Sequence, residues 1–185
     1  MHPVLGTPLD LEPTGDQQVI YLAAGCFWGV ERIFWELPGV VATSVGYMGG
    51  TGPANYVAVC TGTTGHAETV RVVYDPAQVS TRDLLATFFE IHDPTTLNRQ
   101  GNDVGTQYRS AIWTTTEAQY EAAVAVRDAY QAELSGRGFG AISTEIHRPP
   151  APEFHLAEDY HQAYLHKNPQ GYCNHGFNGV ACPRP

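Results

Sequence analysis

The run Val19-Ile20-Tyr21-Leu22-Ala23-Ala24 is short, continuous and apolar, and Gly25 ends it. Such a run reads as a strand buried on both faces. Directly behind it, Phe27, Val30, Phe34 and Leu37 recur at helical spacing until Pro38-Gly39 closes the pattern. The change of period places a strand-to-helix corner at Gly25-Cys26. A strand buried on both faces needs neighbouring strands and a covering layer of helices, so the remainder of the chain has to supply both.

The remainder reads that way. Val40 to Tyr47 is strand-like and leads into the loop Gly49-Gly50-Thr51-Gly52-Pro53. Tyr56 to Cys60 fits a short strand or a single helical turn. Thr69 to Tyr74 is a strand stopped by Asp75-Pro76. Ser80 with Asp83 opens a helix carrying Leu84, Leu85, Phe88 and Phe89, and Thr116 with Gln119 opens another that runs to about Leu134. Between them lie a long polar loop from about Asp93 to Gln107, of a length usually tied to function, and a strand from Tyr108 to Thr114. Ile142 to His147 is expected as a strand and Ala157 to Lys167 as a short helix. Residues 1–18 form a Pro-punctuated arm. Residues 169–185, rich in glycine and holding two cysteines, are expected to be a mobile tail. The order of elements predicts one α+β domain over residues 1–185, a two-layer sandwich with a ferredoxin-like mixed sheet.

Charge narrows the partners. The formal net charge is -9 and the ten Lys and Arg residues form no run. That argues against nucleic acid and against an anionic membrane surface, both of which need clustered cations. Met1 to Gln18 lacks the basic and apolar parts of a signal peptide. Val19 to Trp28 is too short to span a bilayer. A cytoplasmic protein is expected, and there thiols stay reduced. The four cysteines then suggest catalysis, metal binding or plain burial.

Cys26 is the cysteine with a chemical position. A helix N-terminus offers free N–H groups and a partial positive charge that favour a thiolate, the reactive form. Gly25 lets a ligand approach the backbone. A small buried hydrophobe at the same corner is the competing reading. Phe27 and Trp28 would cradle a thioether methyl group or simply fill core. Glu68 precedes the apolar strand, where burial would raise its pKa. Cys60 follows an apolar stretch and reads as inert and buried. Cys173, His175 and Cys182 could bind zinc, but no Cys-x-x-Cys or paired-histidine spacing occurs.

The segment Gly25-Cys26-Phe27-Trp28-Gly29-Val30-Glu31 resembles the active-site signature of the A-type peptide methionine sulfoxide reductases. Gly65-His66-Ala67-Glu68, the run from Gln100 to Ser110, and Gly171-Tyr172-Cys173 resemble that family's later motifs, in the family's order. The likeness runs from about Val19 to Cys182. It implies reduction of methionine sulfoxide, free and in proteins, with preference for the S epimer. It also implies roles. Cys26 attacks sulfur, Glu68 supplies a proton, and Tyr56 and Tyr108 hold the oxygen. Asp103 is the second site carboxylate, and Phe27 and Trp28 hold the methyl group. Cys173 resolves the resulting sulfenic acid, Cys182 relays the disulfide, and thioredoxin reduces it. No metal or organic cofactor is called for, and a monomer is expected.

The tail departs from the family pattern. Asn174, His175, Phe177 and Asn178 interrupt the glycine-rich stretch, and Ala181 separates Val180 from Cys182. Two other functions stay open at this point. A cysteine hydrolase would pair Cys26 with a histidine base, and a thiol redox sensor would use Cys26 and Cys173 without a substrate pocket.

Overall fold

The computed structural model describes residues 1–184. Strand β1 (Gln18–Ala24) contains the apolar run Val19–Ala24. It pairs antiparallel with β3 (Ala67–Tyr74) on one side and with β6 (Ser110–Trp113) on the other. Strand β2 (Val40–Met48) pairs with the far side of β3. Two short strands extend the sheet, β7 (Glu145–His147) parallel to β6 and β8 (His155–Leu156) antiparallel to β2. The order is β7-β6-β1-β3-β2-β8. Its four central strands, with helix α1 (Phe27–Trp35) between β1 and β2 and α3 (Thr81–Glu90) between β3 and β6, make the expected ferredoxin-like core.

Alternation along β1 divides two faces. Ile20, Leu22 and Ala24 join Phe27, Val30 and Phe34 of α1, Leu84, Leu85 and Phe88 of α3, and Ala123, Val126 and Tyr130 of α4 (Glu117–Gly136) in the main core. The opposite face is covered by Leu11 of the arm over Val19 and by Phe154 over Ala23. This double cover is why β1 reads as an unbroken apolar run rather than as an alternating one. Both anticipated helix caps form: Ser80 Oγ accepts from Asp83 N at 3.0 Å and Thr116 Oγ1 from Gln119 N at 3.1 Å. No helix among the described residues is long and apolar enough to cross a membrane.

Tyr56–Cys60 takes the helical one of its two expected forms, as the five-residue α2. Several boundaries differ from expectation. The polar loop carries a hairpin, β4 (Arg99–Gln100) against β5 (Asp103–Val104), turned at Gly101, and a 3-10 turn at Thr106–Tyr108. Tyr108 therefore lies in that turn and not in a strand. Glu68 sits inside β3 opposite Tyr47, not ahead of the strand. Only the last three residues of 142–147 pair.

Residues 157–167 do not form one helix. They make a 3-10 turn at Asp159–His161 and the short α5 (Tyr164–Lys167), parted by Ala163 at φ 49°. The break satisfies buried polar groups elsewhere. The Gln162 amide bonds both N and O of Val45, each at 2.9 Å, and Ala163 N donates to Glu31 Oε2 at 2.9 Å.

Both chain ends are tied down. His2 is fully buried; its Nδ1 accepts from Val4 N and Leu5 N, and its Nε2 lies 3.1 Å from Glu31 Oε1. Among its described residues the tail forms no helix or strand, yet it is packed rather than loose. Asn178 N donates to Glu90 O at 2.8 Å, and Asn178 Nδ2 donates to Phe89 O at 3.0 Å and His92 O at 2.7 Å. These bonds take up carbonyls at the C-terminus of α3 that the helix leaves free. Tyr130 OH donates to Val180 O at 2.7 Å, and Val180 and Cys182 are buried in the main core.

Candidate active site

Gly25 makes the corner work. Its φ of 95° suits glycine, and a Cβ there would lie 2.8 Å from Cβ and Cγ of Gln100. The missing side chain lets the β4-β5 hairpin close on the end of β1 and brings Asp103 toward Cys26. Cys26 is the N-cap of α1. It opens on a cavity of about 260 Å³ lined by Cys26, Phe27, Trp28, Tyr56, Glu68, Asp103, Tyr108 and Tyr172. Seven of these eight are the pocket residues singled out in the sequence, drawn from five separate segments; Tyr172 is the addition.

Glu68 is buried, and its Oε1 accepts from Phe27 N at 3.2 Å. Burial pushes its pKa up to about 8, with the Phe27 bond opposing and Asp103 adding to the rise. It therefore keeps its proton at neutral pH. Cys26 contradicts the sequence expectation of a lowered pKa. Burial, and then the neighbouring Glu68, push it up to about 12, while the Trp28 N–H at the helix start works the other way. Desolvation outweighs the helix terminus here because Cys26 is only 8% exposed. At neutral pH it is a thiol.

The tyrosines are placed from different elements. Tyr56 begins α2, and its N–H donates to Glu158 Oε2 at 3.0 Å, while Tyr47 OH donates to Glu158 Oε1 at 2.9 Å. Its hydroxyl bonds Cys60, which with burial pushes the Tyr56 pKa up to about 12. Cys60 is exposed, against the sequence reading, because α2 is a surface turn whose one buried residue is Val59. Burial and the nearby acids likewise raise Tyr108. Both phenols hold their protons and serve as donors.

Trp28 is held on two sides. Its ring stacks on Tyr164 at 3.7 Å and 11°, and its Nε1–H donates to His161 Nδ1 at 3.0 Å. Together these groups form a pocket with aromatic walls that holds a cysteine thiol, a protonated carboxyl group and two phenols.

Comparison with known proteins agrees with that chemistry. Residues 18–181 match the family model described as peptide methionine sulfoxide reductase. A peptide methionine sulfoxide reductase of Xanthomonas euvesicatoria is 59% identical over 183 residues, 98% of this chain and 84% of the relative. This chain belongs to the peptide methionine sulfoxide reductase family. The solved methionine sulfoxide reductase A of Corynebacterium diphtheriae superposes with a TM-score of 0.85 at 49% identity, covering 100% of this chain and 89% of that one. Mxr1 of Saccharomyces cerevisiae in its reduced form gives 0.82 at 36% identity, with 90% and 95% covered.

Within this reductase fold the other cysteines are separated. Cys173 lies over α1, where Arg32 Nη2 donates to its Sγ at 3.3 Å. A Cβ on Gly29 would come within 2.9 Å of that sulfur. Cys182 lies elsewhere, its N–H donating to Glu90 Oε2 at 3.1 Å. Asp103 links pocket and tail, since its Oδ2 accepts from Tyr172 OH at 3.1 Å and from Asn174 Nδ2 at 3.4 Å. Among the described residues, no three His, Cys, Asp or Glu side chains gather as a metal site requires.

Sequence reasoning missed Glu158, His161, Tyr164, Tyr172 and Arg32. The first three lie in the segment read as a plain helix. Tyr172 stood inside a quoted motif and Arg32 directly after one, so their closeness in sequence to the cysteines was the one available signal.

Proposed function

We propose that this reductase acts on the S epimer of methionine sulfoxide, free and in oxidised proteins, with Cys26 as nucleophile and Glu68 as acid. The observation that carries this reading is a protonated Glu68 lining the same pocket as Cys26. The Cys26 sulfur attacks the sulfoxide sulfur while Glu68 protonates its oxygen, and the thiol proton replaces the one Glu68 gives up. Methionine leaves reduced by two electrons, and Cys26 is left as sulfenic acid. Tyr56 and Tyr108 donate to the oxygen as negative charge develops on it. Phe27 and Trp28 hold the methyl group, and Asp103 orders the polar wall. A hydrolase would need a histidine base at Cys26, and no histidine lines the pocket.

Cys173 then condenses with the sulfenic acid, and Cys182 exchanges with the Cys26–Cys173 disulfide. That second exchange requires residues 174–182 to leave their seat on α3 and α4. Thioredoxin is the proposed final reductant; the yeast relative Mxr1 has been solved in complex with Trx2. The electrons pass through thiols, so the scheme needs no metal or organic cofactor. A monomer in the cytoplasm suits a reductase that depends on a reducing thiol pool.

The test mixes fully reduced protein, without added reductant, with racemic N-acetylated methionine sulfoxide and follows both epimers by chiral chromatography. One epimer should fall as methionine rises in proportion to protein. Equal consumption of both epimers would overturn the stereochemical reading, and Cys26→Ser retaining activity would overturn the nucleophile.

A further inference from the structure

Two side chains beside Cys173 go unused in the reduction of methionine sulfoxide, and its thiol donates meanwhile to His175 O at 3.7 Å. Arg32 Nη2 donates to its Sγ at 3.3 Å. His175, two residues along, crosses the start of α1. Its Nε2 lies 2.6 Å from Ala24 O. A carbonyl only accepts, so Nε2 carries the hydrogen and Nδ1 is left with a free lone pair. That Nδ1 is buried and has no partner. A Cβ on Gly29 would lie 2.6 Å from it and 2.9 Å from Cys173 Sγ, so both atoms press on the same face of Gly29. Gly29 is three residues after Cys26 and lies over it on α1. A buried acceptor without a donor is uncommon enough to require a reason.

We propose that Arg32 and His175 activate Cys173 for its attack on oxidised Cys26, the guanidinium stabilising the thiolate and His175 Nδ1 receiving the thiol proton. The step balances. The Cys173 proton moves to Nδ1, and the thiolate forms an S–S bond to Cys26 Sγ. The S–O bond of the sulfenic acid breaks, and the departing hydroxide takes the proton from His175 to leave as water. Cys173 is oxidised as the Cys26 sulfur is reduced, with no outside reagent. Burial keeps the His175 imidazole neutral and so free to accept, with Arg32 acting in the same direction and Asp103 opposing. The titratable and charged groups facing this seat are Arg32 and Cys26 from α1, Asp103 from β5, His92 after α3, and Tyr172 and His175 from the tail. Arg32 is the one permanent cation among them.

This inference rests on the proposed reductase chemistry, and its test keeps the two apart. In single-turnover quench experiments from pH 6 to 9, methionine released and Cys26–Cys173 disulfide formed are measured in the same samples. Arg32→Met and His175→Gln should each slow disulfide formation by about tenfold or more relative to methionine release, and Arg32→Lys should recover part of the loss. With Cys26, Cys60 and Cys182 all changed to Ser, alkylation of Cys173 by iodoacetamide should need higher pH once Arg32 is Met. Disulfide formation at the unsubstituted rate in both variants, with an unmoved alkylation profile, would overturn the inference. Failure of the unsubstituted protein to release methionine would overturn the reductase chemistry instead.

Discussion

The N–H of Phe27 donates to Glu68 Oε1 at 3.2 Å, joining the residue after Cys26 to the Glu68 carboxyl group across 41 positions of chain. The contact exists because α1 starts beside β3. It is a bond Glu68 makes whether or not it is protonated, so it fixes the carboxyl group without removing its proton. Phe27 thereby sets the geometry and partly lowers the pKa, while burial, the larger effect, raises it.

A pH dependence follows from the raised Glu68. With its pKa near 8 and those of Cys26 and Tyr56 near 12, Glu68 alone of these three crosses its midpoint between pH 6 and 10. The single-turnover rate of methionine release should hold below pH 7 and fall as pH rises through about 8. Glu68→Gln should lower the plateau by roughly 10²- to 10⁴-fold and abolish that fall. A Gln variant that keeps both the rate and the alkaline decline would remove Glu68 from the role of acid.

The same group has a cost in stability, with a definite sign. Its folded-state pKa is raised from 4.5 to about 8, so the folded protein binds this proton more tightly than the unfolded chain does. The stabilising effect is complete below 4.5 and is lost as pH rises toward 8. Above that, the folded state holds a buried carboxylate. Glu68→Gln cannot ionise, and its amide oxygen can still accept from Phe27 N. Urea unfolding should show little difference between the two proteins near pH 5 and a more stable Gln variant at pH 9, by a few kcal/mol at about 1.4 kcal/mol per pKa unit. Equal midpoints at pH 9 would contradict the raised pKa.

Trp28 depends on groups outside the motif that contains it. Its Nε1–H reaches His161 Nδ1, and His161 also packs against Phe27 and Tyr56 with ring centroids 5.1 and 4.8 Å away. His161→Phe keeps a ring but leaves the indole N–H without its acceptor, a loss of about 1–3 kcal/mol for a buried donor. KM for N-acetylated methionine sulfoxide should rise several-fold, with a smaller change in kcat and no change in the pH midpoint assigned to Glu68. A fall confined to kcat would place His161 in the chemistry rather than in support of Trp28.

The sequence was most legible where one physical signal dominated. The strand-to-helix corner at Cys26 appeared because an apolar run, a glycine and a helical period met within a few residues. The caps at Ser80 and Thr116 were equally plain. Residues 157–167 misread as one helix because the groups that break it, Val45 and Glu31, lie more than a hundred positions away. The thiol state of Cys26 was misjudged for a related reason. The helix terminus is local and visible, whereas the burial that outweighs it comes from tertiary packing. The pocket residues were legible through their motifs; their supports, Glu158, His161 and Tyr164, belong to no pattern that spacing alone would pick out.

Asn178 anchors the tail and so bears on whether Cys182 can act. Its backbone and side chain bond Glu90 O, Phe89 O and His92 O, and its Oδ1 accepts from Val180 N at 3.0 Å. While these hold, Cys182 stays buried against α3 and α4, where burial and then Glu90 push its pKa up to about 12. It is therefore shielded and protonated. Asn178→Ala removes every side-chain bond at once and leaves carbonyls at the end of α3 without that donor. Cys182 should then react with iodoacetamide several-fold faster at pH 8, with Cys173 little changed. Under the two-step relay, exchange from the Cys26–Cys173 disulfide to a Cys173–Cys182 disulfide should accelerate in the same variant. Faster alkylation without faster exchange would mean that tail release does not limit the relay, and that thioredoxin meets the Cys26–Cys173 disulfide directly.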